Sequence, residues 1–469
     1  MAGAGTTVVV RTKVISHKED PLPPLWLSRE ASNGSRLDAS NSQEGVFEGM
    51  PGKSALKSAV LNLLGQAKEV ALLSSFLFAD PELESGIMDA ARKGVRVYLL
   101  TASENRLKSE RGQDSEQEMD KFEEHSALLR RLEGRILVRT GEDLHAKFIV
   151  TDPKSSIPRA ILSTANFTTK ALGGNPEIGI SLFDDQARDL ARLFIYGFWH
   201  QAQHELMPAG RLLDVVASSV SHSYPLSLPY TASGSAHLQK TLTGVFKEME
   251  GEAWLSCYGF DKTHPIMRDI LESLQRGVKM HVMTRPRAGG ESAVKHTEAL
   301  IDLARAGAEV RAHPDLHAKA LIWNHGKEMH GLVMTANLTS RGLDQGFEGG
   351  AIVNGKRALA LKELLQSWWS WMPWELRVDA LVRNVKGNIR IWQPPVLKEA
   401  MVIEQAPEMY LGQFEARSQE EVSSIQPGKF PLPKSNGRLI YYQEMPYRWE
   451  IAIKASSEQA SKKANSGKS

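Results

Sequence analysis

Two copies of a short motif carry the residue types that could do chemistry. They are Leu144-His145-Ala146-Lys147 and Leu316-His317-Ala318-Lys319. Each is followed by an apolar run and a small polar cluster that ends in asparagine: Ser163-Thr164-Ala165-Asn166 and Met334-Thr335-Ala336-Asn337. Eleven residues beyond each asparagine stands a glutamate, Glu177 and Glu348. If each motif lies on a strand, alternation turns His145 and Lys147 to one face and Leu144, Ala146, Phe148 and Val150 to the other. Thr164 and Asn166 would likewise share a face of the next strand, with His317, Lys319, Thr335 and Asn337 repeating the pattern. One such patch is an anion site. Two meeting across a pseudo-twofold axis would let one neutral imidazole attack phosphorus while the other, protonated, gives its proton to the leaving oxygen. Lysines and amides would hold the non-bridging oxygens. Each glutamate would accept a hydrogen bond from the second ring nitrogen of a histidine. No metal or other cofactor is called for.

These residues resemble the phospholipase D superfamily. The first copy reads His145-x-Lys147-x4-Asp152 with Thr164, Asn166 and Glu177; the second has His317, Lys319, Thr335, Asn337 and Glu348, but Asn324 where the pattern has Asp. Residue 324 falls on the strand face opposite His317 and Lys319, so that change is expected to alter scaffold hydrogen bonding. The resemblance covers roughly residues 53–372. It implies two fused α/β domains with the site at their interface and a covalent phosphohistidine intermediate, with His145 as nucleophile and His317 as acid. Lys147, Lys319, Asn166, Asn337, Glu177 and Glu348 complete the catalytic set, and Thr164 and Thr335 are expected to touch substrate.

The elements that must position this set also recur. Glu69 to Phe78 matches Glu252 to Phe260 as buried strands, and Gly94 to Thr101 matches Gly277 to Thr284. Helical patterns fill Glu82 to Lys93 and Pro265 to Arg276 between them. His125 and His296 each open a further helix, where a polar residue suits the N-terminus or contacts a phosphate. Val138-Arg139 and Val310-Arg311 precede the motifs. Helices Asp185 to Glu205 and Arg357 to Trp371 close the halves. The fold class is therefore α/β: two repeated domains at 53–217 and 236–375, joined by a linker at 218–235. An N-terminal strand and loop occupy 1–52, a small β-rich extension 376–454, and a disordered tail 455–469. Thr101 to His125 spans twice the length of Thr284 to His296, and the charged insertion from Ser103 to Glu124 reads as a solvated excursion or a flap beside substrate.

Several residues have plainer readings. A lone histidine is usually structural; it is duplication with lysine that singles out His145 and His317. Glu177 and Glu348 taken alone could be surface charges. His313, His325 and His330 lack the acidic or cysteine partners of a metal site. Trp368, Trp369, Trp371 and Trp374 have the spacing of core residues, with base stacking or a membrane interface as alternatives.

With 42% apolar residues and a net charge of +2, bulk charge points to neither nucleic acid nor an anionic membrane. The single cysteine, Cys257, excludes an internal disulfide and fits a reducing cytoplasm. No apolar core of a signal peptide follows Arg11, Lys13 and Lys18, and no span is apolar enough for stable membrane insertion. The leading expectation is a cytoplasmic, metal-independent nuclease acting on DNA or RNA in host defence or repair. Arg285, Arg287 and Lys295 would lie along the phosphate backbone, and a helicase or ATPase is a candidate partner, docked on 376–454. Phospholipid hydrolysis or phosphatidyl transfer, and nucleic-acid binding without catalysis, are the alternatives.

Overall fold

The computed structural model describes residues 44–50, 55–103, 107, 116–216, 226–287 and 290–378, and the backbone of separate strands at 6–13, 25–28, 387–393, 401–402, 413–416, 438–444 and 448–454. These fall into two compact units, one made of 33–285 and 315–371, the other of 1–32, 286–314 and 372–469.

The larger unit holds the first repeat and the second apart from its residues 286–314 and 372–375. In the first, strand Val70–Ser74 pairs parallel with Arg96–Ala102, which pairs parallel with Leu137–Gly141. On its other side Val70–Ser74 pairs antiparallel with Phe148–Thr151, followed by Arg159–Ser163, Ile178–Phe183 and Val46–Glu48. In the second, Glu250–Ser256 pairs parallel with Lys279–Thr284 and antiparallel with Ala320–His325, and Glu328–Met334 and Glu348–Asn354 follow in the same order. The repeat seen in sequence is thus a repeat of topology. The central strands are buried on both faces and so read as continuous apolar runs instead of alternating ones.

The crossover helices obey their end signals. Asp80 caps Pro81–Arg92 by accepting from Leu83 N at 2.9 Å. Gly94 (φ 88°) and Gly277 (φ 96°) take the left-handed conformation just past Pro81–Arg92 and Ile266–Gln275, where a side chain would be strained.

Four expectations change. The helix drawn over Asp185 to Glu205 ends at Tyr196; a π-turn over Gly197–Gln201 follows, and Glu205 lies on strand His204–Met207. A Cβ at Gly197 would come within 2.6 Å of the Phe347 ring, so only glycine lets this turn pass. His125 does not open a helix. It lies buried inside Glu116–Leu132, where its Nδ1 accepts from Phe78 N at 3.0 Å. His296 is likewise buried within Gly290–Arg305. Finally, Tyr230–Ala232, at the end of the segment read as a linker, pairs with Glu348 and Gly349.

The other unit contains a sheet in the order 387–393, 6–13, 413–416, 448–454, 438–444, 401–402, and a second ladder of 309–312, 374–377 and 25–28. Trp374 lies in that ladder. In the larger unit, Trp368 is buried and donates its ring N–H to Glu48 at 2.5 Å, and Trp369 meets Trp254 edge-on. The tail at 455–469 and most of the insertion after Ser103 lie outside the described residues.

Asp152 shows what the acid of the first motif does. Its carboxylate accepts from three successive backbone N–H groups, Lys68, Glu69 and Val70, at 2.8–3.0 Å, and so pins the start of one central strand to the end of the next. Burial tends to raise its pKa, but those donors and Lys68 outweigh it and hold the carboxyl below its usual range. Asn324 instead offers one 3.5 Å contact to Glu252 O. A group depressed in the folded state stabilises above its unfolded pKa and loses that effect as pH falls through the folded value. Asp152→Ala should therefore lower unfolding stability by about 2 kcal/mol at pH 7. The gap from wild type should narrow below about pH 4 in denaturant melts.

Candidate functional site

The two His-x-Lys motifs do not lie on strands, as alternation suggested. They form irregular segments that lead into Phe148–Thr151 and Ala320–His325. Each segment is anchored twice. Within its own repeat, Ser163 N donates to Lys147 O at 2.8 Å and Ser74 Oγ to Ala146 O at 2.9 Å; Met334 N and Ser256 Oγ do the same for Lys319 O and Ala318 O at 3.1 Å. Across the repeats, His145 N donates to Phe347 O at 3.2 Å, and Phe347 N to Asp143 O at 2.8 Å. His317 N and Ala318 N both donate to Pro176 O, at 3.2 and 3.1 Å.

Phe347 and Pro176 immediately precede Glu348 and Glu177. The backbone contacts therefore carry each glutamate to the histidine of the other repeat. His145 Nδ1 meets Glu348 Oε1 at 2.7 Å, and His317 Nδ1 meets Glu177 Oε1 at 2.7 Å. The second oxygen of each carboxylate is held by a threonine: Thr164 Oγ1 donates to Glu177 Oε2 at 2.5 Å, and Thr335 Oγ1 to Glu348 Oε2. Thr164 and Thr335 were expected to touch substrate. Both are fully buried and brace the glutamates instead.

Lys147 and Lys319 are fully buried. Their head groups differ. Lys147 Nζ donates to His145 O, whereas Lys319 Nζ lies 3.0 and 3.1 Å from the two nitrogens of the His317 ring, over its face. Asn166 and Asn337 each have a buried side-chain oxygen without a hydrogen-bond partner.

Burial lowers the pKa of both histidines to about 4. The partner glutamate resists this, while Lys147 and Lys319 both act on each ring and add to it. That each lysine is felt by both histidines places the two histidines, two lysines and two glutamates in one electrostatic neighbourhood. Burial alone would raise Glu177 and Glu348, but His317 and His145 respectively, with the nearby lysines, hold both below the carboxylate norm. Burial lowers Lys319.

A cleft of about 90 Å³ opens at His145, lined by Phe76, Glu142, Asp143, Asn337, Thr339, Arg341 and Glu348. Phe76 meets the His145 ring edge-on at 5.3 Å, and Tyr258 takes the matching place 4.9 Å from His317. These aromatics, the serines behind the motifs, and Asp143 and Arg341 escaped the sequence reading. The aligned strands Glu69 to Phe78 and Glu252 to Phe260 already held the signal for Phe76, Tyr258, Ser74 and Ser256. Of the basic residues expected along a backbone, Arg285 lies over the Tyr258 ring at 5.6 Å. Arg287 and Lys295 belong to the other unit, where Lys295 pairs with Glu291 at 2.8 Å. His325 and His330 meet Glu248 O and Asn354, while His313 belongs to the other unit. Among the described residues no three His, Cys, Asp or Glu group to hold a metal ion.

A family model described as "Cardiolipin synthase, PLD-like domain" matches residues 60–199 and 243–371. No curated protein matches the chain. Among solved structures it is similar to the phosphatidylserine synthase of Haemophilus influenzae Rd KW20, at 12% identity over 76% of this chain and 90% of that one, with a TM-score of 0.50. It is also similar to a polyphosphate kinase from Porphyromonas gingivalis (15% identity, 66% of this chain, TM-score 0.43), of which it spans only 44%. Nuc, a phospholipase D family member from Salmonella typhimurium, matches at 19% identity over 32% of this chain and 95% of its own, with a TM-score of 0.27. At these identities the likeness is one of fold.

The crossed pairing predicts a distinct titration pattern. Followed by imidazole NMR, His145 and His317 should both titrate well below 6.5. Glu348→Gln removes an anion that favours the charged ring and should lower His145 further, with the smaller change at His317; Glu177→Gln should do the reverse. A larger response within the same repeat would contradict the exchange.

Proposed function

The chain belongs to the phospholipase D superfamily, and from this premise we propose that it is a phosphodiesterase cleaving nucleic acid through a covalent phosphohistidine. The observation that carries the substrate choice is the character of the cleft mouth. Its side chains other than Phe76 are charged or polar, among them Glu142, Asp143, Asn337, Thr339 and Arg341, and Gly342 and Gly346 complete the lining. No aliphatic side chain lines it to take an acyl chain. Among the described residues no helix is long and apolar enough to cross a membrane.

In this reading His145 is the nucleophile. With Nδ1–H directed to Glu348, the neutral ring presents the Nε2 lone pair to phosphorus. A pKa near 4 keeps that ring neutral at pH 7. As the new N–P bond forms, the bond from phosphorus to the leaving oxygen breaks, and His317 gives that oxygen its proton. Water then attacks the phosphohistidine, His317 takes the water's proton, and His145 is released. Lys147, Lys319 and the amides of Asn166 and Asn337 stabilise the charge on the non-bridging oxygens. Bound phosphate itself favours the protonated form of His317, because an adjacent anion raises an imidazole's pKa.

A second reading, phosphatidyl transfer, draws on the fold shared with the phosphatidylserine synthase. An alcohol would then replace water in the second step. Host defence or repair and a helicase or ATPase partner remain part of the proposal, resting on the breadth of the family, and a cytoplasmic setting remains part of it, resting on the single cysteine.

The deciding experiment offers labelled DNA, RNA and phospholipid vesicles in excess chelator. Nucleic-acid cleavage alone is expected; lipid turnover alone would overturn the substrate assignment. His145→Ala and His317→Ala should each lower kcat at least about 10³-fold. In the free protein both rings are pushed to about 4. The fraction carrying one proton therefore grows as pH falls below 7, so kcat/KM should rise on the acid side of neutrality, peak near pH 4 and decline below it.

A further inference from the structure

The exchange between repeats extends beyond the eight central groups. An aspartate stands directly before each Leu-His-Ala-Lys, Asp143 and Asp315, and a basic residue stands four places after each asparagine, Lys170 and Arg341. The fold crosses these as well. Arg341 lies 3.7 Å from Asp143, and Lys170 lies 3.7 Å from Asp315. Each pair thus joins the segment after one repeat's asparagine to the segment before the other repeat's histidine.

These pairs are poor braces. The side chains are 53% and 50% exposed in one and 45% and 44% in the other, and both separations are at the long end of an ion pair. Such contacts contribute about 0–1 kcal/mol. Yet the same weak contact is built twice, at the same separation, at the same places in two repeats whose sequences otherwise differ. Asp143 and Arg341 line the cleft at His145. Asp315 stands two residues before His317, so the second pair sits beside the other histidine's segment. A lightly held cation is thus paired to the segment leading into each histidine.

We propose that Lys170 and Arg341 are paired phosphate clamps that grip the phosphates flanking the scissile one in a polynucleotide. This rests on the nuclease reading and sharpens it. Inside a nucleic-acid strand every phosphodiester has a phosphate on either side; the phosphodiester of a simple phospholipid has neither. On binding, the two cations exchange an aspartate oxygen for a phosphate oxygen. Arg341 can do so with both arms of its guanidinium, Lys170 as a point charge. The exchange costs little because the resting pairs are weak. Asp143 and Asp315 balance the two cations at rest and repel an anion that no cation meets. The arrangement favours bonds with neighbours on both sides, and hence internal cleavage.

The test compares substrates that differ only in flanking phosphates. Single-stranded tetranucleotides of deoxyribose and of ribose, cut at the central bond, are set against a dinucleoside monophosphate and bis(p-nitrophenyl) phosphate. Wild type should favour a tetranucleotide by well over tenfold in kcat/KM. Lys170→Ala and Arg341→Ala should each cost about tenfold on the tetranucleotide, mainly through KM, and lower the salt slope of binding by about one. Their loss on the two small substrates should be much smaller. Lys170→Arg and Arg341→Lys should recover most of the affinity, and Asp143→Asn and Asp315→Asn should lower KM for the tetranucleotide. Equal losses on all substrates, carried by kcat, would make the pairs braces and overturn the clamps. So would no loss on the tetranucleotide. A wild-type protein that turns over bis(p-nitrophenyl) phosphate and phospholipid vesicles but neither tetranucleotide would overturn the nuclease reading, and the clamps with it.

Discussion

The site depends on one exchange. Each His-x-Lys segment hydrogen-bonds through its backbone to the residue just before the other repeat's glutamate, His145 to Phe347 and His317 to Pro176. That contact decides which carboxylate meets which imidazole. It also explains why neither repeat could make this site alone: its histidine would lack a tautomer-fixing partner, and its glutamate would be a buried anion without a cation. Leaving such a charge unpaired is strongly destabilising, so burial of Glu177 and Glu348 is conditional on the two halves being docked.

Burial shapes the chemistry as much as contact does. Lys147, Lys319, Glu177 and Glu348 are withdrawn from water while the two imidazoles keep an exposed edge. Charges held this way interact strongly and need little rearrangement when a phosphate enters. Threonine hydroxyls on the far side of each carboxylate and serine hydroxyls behind each motif fix the groups that fix the histidines. Such layered support limits small displacements of the reacting atoms.

Much of this was legible in sequence because the chain states it twice. Duplication turned two ordinary His-x-Lys pairs into a recognisable set and aligned the strands that carry them. The crossing was not legible, because spacing along one chain cannot show which repeat a carboxylate reaches. Alternation also misplaced the motifs: it assumes regular pairing up to His145, whereas the ladder begins at Phe148 and the preceding residues dock elsewhere. The threonines were assigned to substrate by residue type, which cannot tell a hydroxyl facing a ligand from one facing a buried carboxylate. His125 looked like a helix opener because the charged residues upstream of it read as a solvated excursion; the helix instead begins at Glu116.

The two halves depart from symmetry beside each histidine. His145 has a hydrocarbon ring beside it in Phe76, which packs with Ala102 and Leu107. His317 has Tyr258, with Lys319 over its own ring face and Arg285 over the tyrosine. An apolar neighbour favours a neutral ring, the form a nucleophile needs. The Tyr258 face can receive a positive ring, while Lys319 beside it disfavours that charge. The strut behind the motif diverges too. Asp152 ties three backbone donors on the His145 side, whereas Asn324 makes a single long contact on the other. The His145 half is thus the more firmly braced. Under the proposed mechanism a covalent bond to phosphorus would demand tighter placement than proton exchange, and the stiffer half is the one to which that role is proposed.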